Sequence, residues 1–250
     1  MNNKNTLLKN FQVKGFLNLK FEKNKTYDYF KNVIEDIHNG KLKKGWNLKQ
    51  KYFGTKDLRP NVVDYDDVFL EILLENDISK KINFITQRKL DLAHIQIRVS
   101  EEGESYMPWH RDTYSYNESS HGNLPPVIKL IYYLPEKQTP LTKLQIIKGS
   151  HVCMANTMSI QNQLSPGFDI FDRDICLRNL PCYNFKNSDL EYVIFDTSCL
   201  HNVVNSNKST RIIYTFCTEY QFYENFCNDK NENSNIHLSA FDKFRKINKI

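Results

Sequence analysis

The residues best suited to chemistry lie in the stretch Met107-Pro108-Trp109-His110-Arg111-Asp112-Thr113. His110 and Asp112 are two positions apart, so on an extended strand their side chains point to the same side and can grip one metal ion. A third ligand must come from elsewhere. His201 stands out, in Phe195-Asp196-Thr197-Ser198-Cys199-Leu200-His201-Asn202 just after an apolar run, and Arg211 follows ten positions later. Two imidazoles and one carboxylate on one face of an ion leave the opposite positions open, the arrangement of non-haem Fe(II) oxygenases. Arg211 is planar, permanently charged and able to hold a carboxylate through two hydrogen bonds, which suits an anchor for a dicarboxylic co-substrate.

The elements that must position these groups are legible as changes of period. Ala93, Ile95, Ile97 and Val99 alternate with Leu92, His94, Gln96 and Arg98, the pattern of a strand with one apolar face. Further strand-like runs fall at 127–134, 143–148, 190–196, 201–205 and 210–219, separated by turn-formers such as Pro125-Pro126, Pro135 and Lys148-Gly149-Ser150. Before residue 90 the period is helical. Thr26 is placed to cap a helix carrying Phe30, Val33, Ile34 and Ile37, with Gly40 at its C-terminal cap. Asp66 is placed to start a second helix over 66–80. The stretch 154–187 has no period and reads as an insertion or lid, 228–235 as a polar linker, and Leu238, Phe241, Phe244 and Ile247 as one face of a terminal helix. Helices followed by many short strands imply a mainly β fold, a sandwich or barrel with helices outside it.

Other side chains qualify by position. Gln96 and Arg98 share the polar face that would point into a barrel mouth, where they would contact co-substrate or substrate or serve the structure. Lys129 interrupts an apolar strand and must either meet a carboxylate or face solvent, because a buried unpaired ammonium is costly. Trp109 and Arg111 flank His110 and are candidate substrate contacts, Trp109 with packing as its alternative, as for Tyr114 and Tyr116. His151 follows Gly149-Ser150 and reads as part of a turn rather than a ligand, while His94 and His121 have no partner at ligand spacing.

Taken in order, Trp109-His110-Arg111-Asp112, then Gln145-Ile146-Ile147-Lys148-Gly149-Ser150-His151, then His201 with nine residues before Arg211, resembles the Fe(II)/2-oxoglutarate-dependent dioxygenases, and within them the phytanoyl-CoA dioxygenase-like branch. The resemblance runs from about residue 90 to 220. It departs at Lys148, where that branch commonly has a proline before the glycine. The resemblance implies a double-stranded β-helix (a jelly-roll, cupin-like barrel) with Fe(II) held by His110, Asp112 and His201 and the far carboxylate of 2-oxoglutarate held by Arg211. It also implies a co-substrate or substrate contact by a polar residue on the 90–99 strand, Gln96 or Arg98, consumption of O2 and release of succinate and CO2; Lys129 is a further candidate for the co-substrate carboxylate. Related halogenases carry Gly or Ala in place of Asp112, so the aspartate implies oxygen chemistry: hydroxylation, with desaturation or cyclisation at the same site as variants.

Composition bounds the rest. The chain has 250 residues, 25% of them charged, and a net charge of +5 spread over scattered lysines rather than a basic stripe, so no nucleic-acid partner is expected. No apolar run is long enough to span a bilayer, no secretory signal is visible, and six cysteines form no C-x-x-C pair, which fits reduced thiols in a cytoplasmic protein. The expected organisation is one domain over 1–250, with helical support over 1–89, the β-helix over 90–220 and an extension over 221–250. Arg98, Arg111 and Lys129 motivate a small, polar, carboxylate-bearing metabolite from biosynthesis as substrate. The alternatives are a cupin-like dioxygenase modifying protein or nucleic acid, with Lys129 anchoring 2-oxoglutarate, and a non-catalytic β-sandwich binding module. Oligomeric state is not legible.

Overall fold

The computed structural model describes residues 2–50, 55–59, 62–101, 107–112, 126–135, 143–152, 181–185, 188–204, 208–223 and 241–246. Helix α1 (Asn2–Lys14) runs straight into strand β1 (Phe16–Lys20) through Gly15. Helix α2 (Lys25–His38) buries Tyr27, Phe30, Val33, Ile34 and Ile37, the stripe that helical spacing predicts. Its cap is Asn24, which accepts from the Tyr27 N–H at 2.8 Å; Thr26, expected in that place, lies inside the first turn and bonds Glu75 instead. Gly40 ends the helix at φ +75°, as the C-cap expectation requires.

After β2 (Asn47–Gln50) and β3 (Thr55–Arg59) come α3 (Val62–Tyr65), α4 (Val68–Glu75) and α5 (Ile78–Thr86). The single helix expected over 66–80 is thus two helices. The chain turns at Asp77, φ 49°, beside Asn76, whose side chain donates to the Ile72 carbonyl and accepts the Glu22 N–H. The turn lets Ile78, Ile82 and Ile85 of α5 reach the core from a new direction.

The remaining strands are β4 (Asp91–Ser100), β5 (Met107–His110), β6 (Ile128–Tyr133), β7 (Lys143–Ile147), β8 (Cys182–Asn184), β9 (Glu191–Asp196), β10 (His201–Val204) and β11 (Ser209–Cys217). They form a seven-stranded sheet, β1-β9-β6-β11-β4-β3-β2, and a four-stranded sheet, β5-β10-β7-β8. All the pairings between them are antiparallel. Two features went unseen in the periodicity. Strands β1, β2 and β3 lie in the segment read as helical support, and β8 lies in the segment read as an insertion, where it pairs with β7. The expected lid otherwise falls outside the described residues, as do Tyr114, Tyr116, His121 and the 228–235 linker. A short helix covers 241–246 with Phe241 and Phe244 buried.

The large sheet has two contrasting faces. One carries Ile95, Ile97, Val99, Leu130, Tyr132, Ile194, Ile212 and Tyr214 against α2, α4 and α5, in the main apolar core. The other turns Ile131, Tyr133, Val193, Phe195 and Ile213 toward Leu144, Ile146 and Val203 of the small sheet, closing a second core between the sheets. Period 2 therefore puts Lys129, Arg211, Gln96 and Arg98 on the face that looks into the sandwich. Among the described residues no helix is long and apolar enough to cross a membrane, and Cys182 and Cys199 are free thiols.

Candidate metal centre

His110 ends β5 and His201 begins β10, and the two are cross-strand partners, with ring centroids 4.2 Å apart. Asp112 follows on the loop, where its backbone N–H donates to the Thr197 carbonyl. Its Oδ1 lies 3.9 Å from His110 Nε2 and its Oδ2 3.7 Å from His201 Nε2. One donor atom from each of the three lies within 4.8 Å of the others, so the group could hold a metal ion. His201 Nδ1 sits 2.8 Å from the Cys199 carbonyl, which can only accept, so Nδ1 carries the proton and the Nε2 lone pair faces the cluster. Burial, and then the neighbouring His110, push the His201 pKa down to about 3, keeping the ring neutral. Burial alone would raise the Asp112 pKa; the charge of Lys129 and the two imidazoles outweigh it and hold this carboxylate ionised well below its usual range. Two imidazole nitrogens and an ionised carboxylate are the donor set a divalent transition metal takes.

A framework of hydrogen bonds fixes these ligands. Arg111, 2% exposed, donates through one terminal nitrogen to the Ser150 and Ser198 carbonyls, tying the His110–Asp112 segment to the turn before His201. The Ser150 hydroxyl donates to the Ile147 carbonyl at 2.7 Å and accepts the Leu200 N–H at 2.8 Å. The Gly-Ser-His turn thus acts as a brace beneath His201. His151 meets the Gln12 carbonyl of α1 and is not one of the clustered ligands, as the turn reading expects. Asp196 closes the next turn by accepting both the N–H and the hydroxyl of Ser198. Arg111, expected as a substrate contact, is engaged by these two carbonyls and braces the ligand segment. Trp109, its neighbour across His110, is partly buried and on a pleated strand faces away from the His110 side.

The other candidates lie along the inner face of the large sheet. Lys129 reaches Asp112, Nζ to Oδ2 at 2.8 Å, so its carboxylate partner belongs to the protein. Arg211, 1% exposed, is in register with Arg98 on one side and Tyr133 on the other, and it donates to the Ser100 hydroxyl. It lies four residues along β11 from Thr215, the partner of Lys129, a spacing of about 13 Å by strand rise. The Tyr133 hydroxyl is buried without a hydrogen-bond partner among the described residues. Burial raises its pKa, and the charges of Arg211 and Arg98 oppose that rise, so both guanidiniums act on this hydroxyl. Gln96 and Arg98 are both turned to Asp57 of β3, at 2.7 and 3.4 Å. Asp57 and Tyr133 went unnoticed in the sequence. The only signal for Tyr133 was its period-2 spacing from Lys129, and Asp57 lies in a strand that the periodicity missed.

No family model matches the chain, and no curated protein matches it. Solved structures do. The epimerase SnoN, crystallised with Fe3+, alpha ketoglutarate and nogalamycin RO, superposes with a TM-score of 0.65 at 8% identity, over 92% of each chain. The alpha ketoglutarate-dependent carbocyclase SnoK gives 0.62 at 12% identity over 85% of this chain and 83% of its own. HygX from Streptomyces hygroscopicus, with nickel and 2-oxoglutarate bound, gives 0.60 at 13% identity over 86% and 87%. The fold is the double-stranded β-helix. At these identities the likeness establishes architecture, and the metal-ligand reading stands on this chain's own side chains.

Proposed function

We propose that the protein is an Fe(II)/2-oxoglutarate-dependent oxygenase acting on a small molecule. The observation that carries this is the convergence of His110, Asp112 and His201 from two strands and a loop, on the fold that SnoN, SnoK and HygX share. His110 and His201 would give their Nε2 lone pairs to the metal and Asp112 a carboxylate oxygen. When bound, Fe(II) with 2-oxoglutarate and O2 supplies oxidation of an unactivated C–H bond, coupled to formation of succinate and CO2. Arg211 would pair with the far carboxylate of 2-oxoglutarate, and the Tyr133 hydroxyl, buried beside it, would donate to the same group. The apolar side chains of Ile131, Ile213 and Val203 lie in the core between the sheets and keep water from that end of the site.

The carboxylate-bearing substrate rested on three cations. Arg98 now faces Asp57, Arg111 two carbonyls and Lys129 Asp112, so these cations lend it no support and the substrate is proposed only as a small molecule. The same ion pair at Lys129 favours Arg211 over Lys129 as the co-substrate anchor, against the cupin-like alternative. Release of CO2 from carboxyl-labelled 2-oxoglutarate tests the proposal. It should require Fe(II) and O2 and vanish in His201→Ala; labelled CO2 at an equal rate from that variant would refute it.

A further inference from the structure

The ammonium of Lys129 is 2.8 Å from Asp112 Oδ2, with both side chains largely withdrawn from solvent at 14% and 13% exposure. Lys129 comes from β6 of the large sheet, while Asp112 follows β5 of the small one, so the contact crosses between the sheets. It bears on a choice that Asp112 would otherwise have. Oδ1 is 3.9 Å from His110 Nε2 and Oδ2 is 3.7 Å from His201 Nε2, so each oxygen lies near one imidazole donor. A carboxylate placed this way can bind through one oxygen or through both.

We propose that Lys129 is a positioning residue that keeps Asp112 a one-oxygen ligand by engaging Oδ2, and so preserves the coordination position that dioxygen needs. This rests on the metal-site reading above. Two imidazoles and one carboxylate oxygen leave room for a two-point 2-oxo acid and for dioxygen. A two-oxygen aspartate would take one of those places. The function of Lys129 is therefore to save a site on the ion.

The test uses the full chain and Mn(II), a redox-stable probe of the same charge as Fe(II). Water-proton relaxation counts the waters on bound Mn(II), and calorimetry gives the affinity of the Mn(II)-loaded protein for 2-oxoglutarate. Lys129→Met should carry one metal-bound water fewer than wild type and should bind 2-oxoglutarate about tenfold more weakly. Lys129→Arg, which keeps a cationic donor, should restore both values and guards against a variant that merely folds poorly. Equal water counts and equal 2-oxoglutarate affinities in wild type and Lys129→Met would overturn the assignment while leaving the metal centre intact. Failure of the wild type itself to bind Mn(II) would remove the metal centre and this role together.

Discussion

His201 shows how burial and one hydrogen bond prepare a side chain for metal binding. The Cys199 carbonyl selects the tautomer, and the buried ring stays neutral down to a pKa of about 3 against an ordinary value of 6.5. The consequence for stability has a definite sign. The folded pKa lies below the unfolded one, so between about pH 6.5 and 3 the unfolded chain takes up a proton that the folded chain refuses. Stability of the metal-free protein should fall on acidification by up to about 1.4 kcal/mol per pH unit within that window. Asp112, also depressed, acts in the same direction only once the pH drops below the ordinary carboxylate value. Urea unfolding at pH 7 and pH 5 should therefore show a lower midpoint at pH 5, and a smaller drop in His201→Leu; identical pH dependence in the two proteins would contradict this account of the ring. Arg211 carries the other residue-scale prediction. Arg211→Met should weaken 2-oxoglutarate binding by about 2 kcal/mol or more, measured by calorimetry on the Mn(II)-loaded protein, with little change in Mn(II) affinity.

At the scale of elements, the turn between β9 and β10 places His201, and it is braced from two sides. Gly15 supplies one. At φ +77° it passes so close to this turn that a methyl group there would collide with Cys199 Sγ and lie 2.5 Å from His151 Nδ1. Gly15→Ala should destabilise the fold by about 2 to 4 kcal/mol, lowering the melting temperature, and loosen metal binding with it. Ser150 supplies the other, and Ser150→Ala, which strands the Leu200 N–H, should cost about 1 to 3 kcal/mol in unfolding experiments. These contacts explain why a Gly-Ser-His turn was a useful motif to find although none of its residues is a candidate ligand. The main-sheet strands β4, β6, β9 and β11 were legible because each has one face on the helices and one in the sandwich, which imposes period 2. Strands β2 and β3 were not, since the edge strand Asn47–Gln50 and its neighbour Thr55–Arg59 carry little apolar alternation. The three-residue β8 is too short to show any period.

For the molecule as a whole, the same sheet that buries its apolar face on α2, α4 and α5 presents Lys129, Arg211, Arg98 and Gln96 to the interior of the sandwich, so the fold's need for a second core also builds the site. The spacing of His110, Asp112, His201 and Arg211 was visible in the sequence because metal and carboxylate recognition demand particular residue types. The contacts of Lys129 with Asp112 and of Arg98 with Asp57, and the nearness of Tyr133 to the two arginines, were not, since each depends on how separate elements are brought together rather than on local spacing. The most direct test of the central claim is an anaerobic titration of the metal-free protein with Fe(II) and then 2-oxoglutarate, followed by visible absorption. A weak metal-to-ligand charge-transfer band should grow to one equivalent in the wild type and be absent in His110→Ala and Asp112→Ala. A wild-type protein that binds no Fe(II) and develops no such band, or a band unaffected by losing His110, would contradict the account.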